Sequence, residues 1–504
     1  MFFKKNGAFI QTLHLLSTII NKMNICELPE IIKKLNEKEV LANIFNCSLL
    51  SLMRNGYEIM SLKLPYPFVT EAFYEYFMRY NENGSEHLTA KVLGEINETI
   101  FKTPNIVYKK VGLNNFMSLY YLWQMEDHTD LFLRLYRYSF IFNYQFNEIN
   151  IKEDFFNKFG CEYNSYLYFC LLFITTCISL RESEISQKQY FANLAIKIFK
   201  VFKRVTVSLS LTKEQYKNKS IQVCKNQNLL SIALKTSKSF PLIEDNETIA
   251  CYIPHTVIPA CTSSLLFRLT DGNDKLHGKI AKNVLEDYCY RLFKTQKYYK
   301  IISKEIKFSN DKLSSDLLVA ENKNLYCLEI KSFTPNTQTR LMDQKNINKQ
   351  IVELAEGMYQ LYKFIYKNFP SKVNLIKNFS LNNRYGVLIP REDASFDRKN
   401  LYGKLFVIIE NEENRILSEN EKNNIIEHIK ISGLDEIEDM IYTNTPLSRV
   451  VDFYNQNDQQ MFYTASRSFN KTKENKEINE FIENIEKTSE KLTLLLTDPK
   501  FIWY

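Results

Sequence analysis

Residues 314–332 read SSDLLVAENKNLYCLEIKS, and this stretch leaves few folds open. The runs DLLVA and LYCLEIK lack the apolar–polar alternation of a strand with one wet face. Strands apolar on both sides belong inside a sheet that is covered on both faces. The polar tetrad Glu321-Asn322-Lys323-Asn324 between them has hairpin length and hairpin chemistry. Successive strand residues point to opposite sides of a sheet. Glu329 and Lys331 therefore share one side, and Leu328 and Ile330 the other. Closing the hairpin sets Asp316 beside Glu329, with Lys331 one pleat away.

The surrounding texture extends this core. After Asp271 the spacing of apolar residues predicts a helix over 274–295 and strands near 299–308, 314–320 and 325–332. A long helix over 343–368 and strands near 384–390 and 403–410 follow. Residues 1–265 read as mostly helical, with apolar periodicity over 28–80, 114–147, 164–181 and 187–204, punctuated by Asn55-Gly56 and Asn83-Gly84 turns. Residues 236–248 lose periodicity and read as a linker. Beyond 417 the chain is again charged and helical, and 473–495 reads as an exposed helix packing one face. The expected organisation is a helical domain over 1–265, an α/β domain over 266–415 and a helical C-terminal extension over 416–504.

Three charges at the ends of apolar strands are costly to bury without compensation. A divalent cation between two carboxylates compensates them. Mg²⁺ takes oxygen ligands and commonly uses one or two carboxylates plus water and phosphate. A metal so held lowers the pKa of bound water and stabilises a charged transition state, and a nearby ammonium orients water or steadies developing charge.

An Asp on one strand followed by Glu-x-Lys on the next resembles the PD-(D/E)xK nuclease superfamily, with its restriction-endonuclease-like fold. Asp316, Glu329 and Lys331 match that pattern, and Ser315 stands where the family name has proline. The resemblance spans roughly residues 272–412. It implies an αβββαβ core with a mixed sheet, and a Mg²⁺-dependent nuclease in which Mn²⁺ can substitute. Asp316 and Glu329 would hold metal and Lys331 would position or activate water. Many members place a Glu on the helix before the sheet. Here Glu286 borders the stripe Ile280, Val284, Tyr288, Leu292, and is expected to support the metal or a second one. The resemblance also suggests Gln350 as a contact to phosphate or to the lysine. Lys349, Lys345 and Arg340 stand nearby in sequence as phosphate contacts. His277 reads as a helix-start residue, and Glu305 as either a supporting group or a solvated strand position.

A helical domain ahead of such a nuclease resembles bacterial anti-phage or restriction-type effectors. That likeness implies a nucleic-acid substrate, DNA by preference, and either a homodimer or a partner protein in a defence system. Two other readings remain: an inactive nuclease fold serving as a nucleic-acid-binding or assembly module, and a DNA repair or recombination nuclease.

Composition sets outer bounds. The 504 residues are 45% apolar and 24% charged, as in ordinary globular proteins. The net charge of +7 is compatible with a polyanionic partner. Ten cysteines without a CxxC pair and six scattered histidines give no zinc spacing. Most of the cysteines lie in apolar runs, as buried thiols do in a reducing cytoplasm, the expected location. No P-loop motif is present, so ATP use is not expected. Two apolar stretches resemble targeting segments. Residues 8–20 are interrupted by Gln11, His14 and Ser17, and residues 166–180 are shorter than the roughly 20 residues a membrane helix needs. The second reads as a buried core helix, and no membrane is expected.

Overall fold

The computed structural model describes residues 26–51, 67–111, 131–226, 236–245, 248–296, 299–308, 312–341, 343–369, 376–392, 398–457 and 475–497. The apolar residues 8–20, the Asn55-Gly56 turn and residues 114–130 of the segment expected as helical over 114–147 lie outside these. The chain forms two compact units, Met1–Gly112 with Leu209–Thr256, and Leu113–Ser208 with Val257–Tyr504. This division differs from the one expected at residues 265 and 415. The chain leaves the first unit early, gives helices to the second, and returns before leaving again.

The first unit is mainly helical: Leu28–Lys34, Glu37–Ser51, Pro67–Tyr80, Ala90–Val111 and Lys213–Val223. The stretch expected as a linker is structured. It forms the short helix Thr236–Ser239 and the strands Leu242–Asp245 and Thr248–Cys251, paired antiparallel, with Ser210–Thr212 parallel to the former. Four-residue strands are too short to show a period in sequence. Helix Pro67–Tyr80 is the unit's core, buried from Val69 to Arg79, and it carries two buried carboxylates one turn apart, Glu71 and Glu75.

The second unit is built on a five-stranded mixed sheet. In chain order its strands are β1 (Lys300–Lys304), β2 (Leu317–Glu321), β3 (Asn324–Lys331), β4 (Arg384–Pro390) and β5 (Ile429–Ile431). Their order across the sheet is β5-β4-β3-β2-β1. The pairs β1–β2 and β2–β3 are antiparallel, while β3–β4 and β4–β5 are parallel. The hairpin register sets Leu328 opposite Leu317 and Asn324 opposite Glu321. Asn322 turns the chain at φ 55°, a conformation asparagine tolerates. Every residue of β2 is buried, and so are Leu325 to Ile330 of β3.

Helix α1 (Asp274–Lys279) runs through a π-helical turn, Ile280–Val284, into α2 (Leu285–Lys294). The long helix α3 (Gln344–Tyr362) lies against β3, β4 and β5. Two glycines allow that approach. A Cβ on Gly386 of β4 would stand 3.0 Å from Ile365 Cδ1 and 3.1 Å from Leu361 Cβ, and one on Gly357 of α3 would stand 2.9 Å from Leu388 Cδ1.

The strand expected over 403–410 is instead helix α4 (Arg398–Glu413). Its buried residues Leu401, Tyr402, Leu405 and Ile409 recur at helical spacing and pack along α3, while Val407 faces solvent. The last strand of the sheet is β5, well beyond residue 415. The C-terminal segment is therefore part of this unit. It supplies β5 and the helix α5 (Leu434–Tyr442), which packs on α2. Glu438 of α5 accepts from Arg137 Nε at 2.6 Å and from the Tyr288 hydroxyl at 2.6 Å, joining helix Leu131–Phe142 to α2 and α5. Helix Lys476–Thr497 buries Ile478, Ile485 and Leu496 against the helical layer.

One helix among the described residues, Tyr163–Glu182, is long and apolar enough to cross a membrane, and 61% of its apolar window is buried inside the protein. No disulfide joins the ten cysteines.

Candidate active site

Asp316 immediately precedes β2, and its side chain finishes the ladder that the backbone leaves off. Asp316 Oδ2 accepts from the Ile330 amide at 2.7 Å. That amide lies between Glu329 and Lys331, so one hydrogen bond fixes all three residues at the open end of the hairpin. Lys331 Nζ donates to Glu329 Oε1 at 2.6 Å and to Gln360 Oε1 at 3.0 Å. Glu329 is 8% exposed. The Lys331 stem passes Gly357, where a Cβ would stand 3.5 Å from its Cε.

Glu286 enters from the first turn of α2. The π turn ahead of it has a physical cause. Leu276, Ile280, Val284, Tyr288 and Leu292 are all buried at steps of four, and four residues overrun an α-turn by about 40°. One wider turn takes up part of that drift and keeps both ends of the helix on the core. Next to Glu286, Asp287 pairs with Lys304 and accepts from the Tyr144 hydroxyl, which fixes α2 against β1.

The electrostatics join these groups. Burial pushes the Glu286 carboxyl up to about 8, and the charges of Asp316, Glu305 and Glu329 push the same way against Lys282. Burial also raises Glu329, with Asp316 adding to it and Lys331 opposing. Asp316 is raised by burial, against the Ile330 amide and Lys331. Glu305, just past β1 and exposed, acts on all three acids and is the fourth carboxylate of the cluster. The structure thus brings Asp316, Glu329, Lys331 and Glu286 into one electrostatic neighbourhood. Raised acids beside a cation in one place are a functional-site signature.

Other expected contacts lie elsewhere. Gln350 is 5% exposed and tied to the loop after β3, accepting from the Asn336 amide at 3.3 Å and donating to the Thr334 carbonyl at 3.1 Å. Its amide is consumed there, and Gln360 is the glutamine that holds Lys331. Sequence reading missed Gln360 because it sits on the exposed side of α3, and only the docking of α3 on β3 brings it to the lysine. Lys349 points to solvent, 4.0 Å from Glu353. Lys345 is exposed, and the Arg340 side chain lies outside the described residues. His277 lies in α1, and burial together with Arg391 lowers its pKa.

The donor set suits a hard cation. Asp316 and Glu329 offer carboxylate oxygens whose mutual repulsion a divalent ion would relieve, and Mg²⁺ needs only one or two such ligands. Among the described residues, no group of three or more His, Cys, Asp or Glu side chains is disposed to hold one ion. Glu286 is linked to Asp316 and Glu329 through their mutual electrostatic effect.

His255 bridges Ser48 Oγ (2.7 Å from Nδ1) and Glu71 Oε1 (2.6 Å from Nε2) in the first unit. The residue types are those of an acyl-transfer triad. Ser48 is 0% exposed, so no substrate reaches its hydroxyl. The trio ties together helix Glu37–Ser51, helix Pro67–Tyr80 and the turn Pro254–Thr256.

Comparison of the chain with protein-family models, curated proteins and solved structures finds no match.

Proposed function

We propose that this protein is a Mg²⁺-dependent nuclease of the PD-(D/E)xK type, hydrolysing phosphodiester bonds of nucleic acid, with DNA the preferred substrate. The observation that carries this reading is the hydrogen bond from the Ile330 amide to Asp316, which sets Asp316, Glu329 and Lys331 side by side at the end of an otherwise apolar hairpin. The mixed sheet, in which an antiparallel hairpin is followed by a parallel crossover through α3, supports it.

Asp316 and Glu329 would hold the cation. Bound Mg²⁺ would acidify a water and offset charge on the phosphoryl oxygens. The residues of the chain do the rest. Asp316, locked to the backbone, cannot swing away. The Lys331 ammonium, tethered by Gln360, donates to the attacking water or to a phosphoryl oxygen as charge grows there. Glu286 and Glu305 add negative field that favours a cation. Water forms the new P–O bond, and the leaving oxygen takes up a proton as its own bond to phosphorus breaks. An anti-phage or restriction-type role is the biological setting this reading suggests.

A second reading, a nucleic-acid-binding module without activity, is favoured by the closed Lys331–Glu329 pair. One experiment separates the two. Labelled plasmid, linear duplex, single-stranded DNA and RNA are incubated with Mg²⁺, Mn²⁺ or EDTA. The nuclease reading expects metal-dependent cutting that Asp316→Ala and Lys331→Ala each reduce by a factor on the order of 10² or more. Binding without cutting in any metal, unchanged in both variants, would establish the module instead.

A further inference from the structure

The outer face of α1 and its π turn carries Lys275, Lys279 and Lys282, at steps of four and three residues, and the next step of four reaches Glu286. Leu276, Ile280 and Val284 take the inner face. Lys275 and Lys282 are exposed and Lys279 is half-buried. No acid stands within ion-pair distance of any of the three among the described residues, although neighbouring lysines are paired, Lys304 with Asp287 and Lys331 with Glu329. Between Lys275 and Lys282 the surface is open, since a Cβ on Gly278 would meet nothing within 4 Å. The line of lysines ends at the acids: Lys282 is near enough to Glu286 and Asp316 to act on both electrostatically.

A polyanion approaching this site meets the four acids Glu286, Glu305, Asp316 and Glu329, which Lys331 and Lys282 only partly offset. Repulsion would keep it away unless positive charge stood beside the acids. Lysines on this outer face, with no acid in ion-pair distance among the described residues, supply that charge at no cost in broken ion pairs. Lysine is a point charge without base-reading geometry, so such a face follows a backbone and reads no sequence.

We propose that Lys275, Lys279 and Lys282 form a rail that binds the phosphodiester backbone of nucleic acid and delivers one strand to the acid cluster. This rests on the nuclease reading for what happens at the end of the rail, but not for the binding itself. Removing the three lysines removes three phosphate contacts. The slope of log K against log salt then falls by about 0.9 per contact for duplex DNA and about 0.7 for single strands.

The test measures binding of labelled duplex DNA, single-stranded DNA and single-stranded RNA in EDTA, across a salt series, for the wild type, the triple Lys→Ala variant at 275, 279 and 282, and the triple Lys→Arg variant. For duplex, the affinity lost between 50 and 200 mM salt should be about 40-fold smaller in the alanine variant. The arginine variant should match the wild type. The polymer whose change in slope amounts to three contacts at its own value per contact is the one the rail takes. An unchanged slope in the alanine variant, or no binding of any polymer by the wild type, overturns the rail. Cleavage by a protein whose slope is unchanged would leave the nuclease standing and the rail refuted. A rail-dependent slope without cleavage in any metal would do the reverse.

Discussion

Glu75 shows how one residue can set the pH response of a unit. Its carboxyl is fully buried, accepts from the Tyr216 hydroxyl at 2.6 Å and from the Ser237 amide at 3.1 Å, and burial pushes it up to about 7. A free carboxyl in the unfolded chain titrates near 4.3. Between these values the unfolded chain has given up a proton that the folded one keeps, so stability falls as pH rises from about 4.5 to about 7 and stays low above. Glu75→Gln keeps an acceptor for both donors and removes the charge. It should raise the thermal midpoint at pH 8 and change it little at pH 5, which melting curves at the two pH values would check. An equal shift at both would mean that packing, not ionisation, governs the site. Gln360 gives a residue-scale prediction at the candidate active site. Gln360→Ala frees Lys331 from α3 without unpairing it from Glu329, so kcat should drop about tenfold with KM nearly unchanged, and Gln360→Glu should restore the tether.

At the scale of elements, the π turn and the glycines decide geometry that propensity alone does not. Deleting Ala281 would let the helix continue as plain α, rotating Lys275 and Lys279 relative to Glu286 and taking Leu276 off the core. Helix content by circular dichroism should persist while both nucleic-acid binding and cleavage weaken. Intact activity would show the π turn to be incidental. Gly357→Ala tests the contact of α3 with the sheet. Helix propensity favours alanine by up to about 1 kcal/mol, but the new Cβ pushes Leu388 and crowds the Lys331 stem. A small net change in stability with a larger loss of cleavage is expected, measured by denaturation and by plasmid nicking in parallel. The apolar two-sided hairpin was readable in sequence because β2 and β3 are covered on both faces and leave no polar alternation. Residues 403–410 read as a strand yet form a helix, because an apolar run with few breaks serves a buried strand and a half-buried helix equally well. Only the contact with α3 shows that Leu401, Leu405 and Ile409 form a helical stripe.

At the scale of the whole molecule, the second unit is held by a buried charge cluster that no local pattern announces. Arg137 pairs with both Asp435 and Glu438, and Tyr288 donates to Glu438. Removing the arginine leaves the buried Glu438 carboxylate without its cation, so Arg137→Met should cost about 3–5 kcal/mol, read as a lowered midpoint of chemical denaturation. Replacing Arg137, Asp435 and Glu438 together by apolar residues should recover much of that loss. A chain ending at residue 417 would lack β5 and α5 and should lose cooperative unfolding, because both are built into the sheet and its helical cover. Local pattern was enough to specify the hairpin, the side of β3 on which Glu329 and Lys331 stand, the helix bearing Glu286 and the long helix packed on the sheet. Each follows from a short-range period or a turn, and those depend on residues close together in the chain. It took the folded chain to show that Gln360 rather than Gln350 meets Lys331, that residues 429–431 complete the sheet, that helices from 131 to 201 belong with the C-terminal half, and that His255 finds Ser48 and Glu71. These pairings join residues far apart in sequence, and they are selected by the burial of whole faces, a quantity that exists only once the elements have docked.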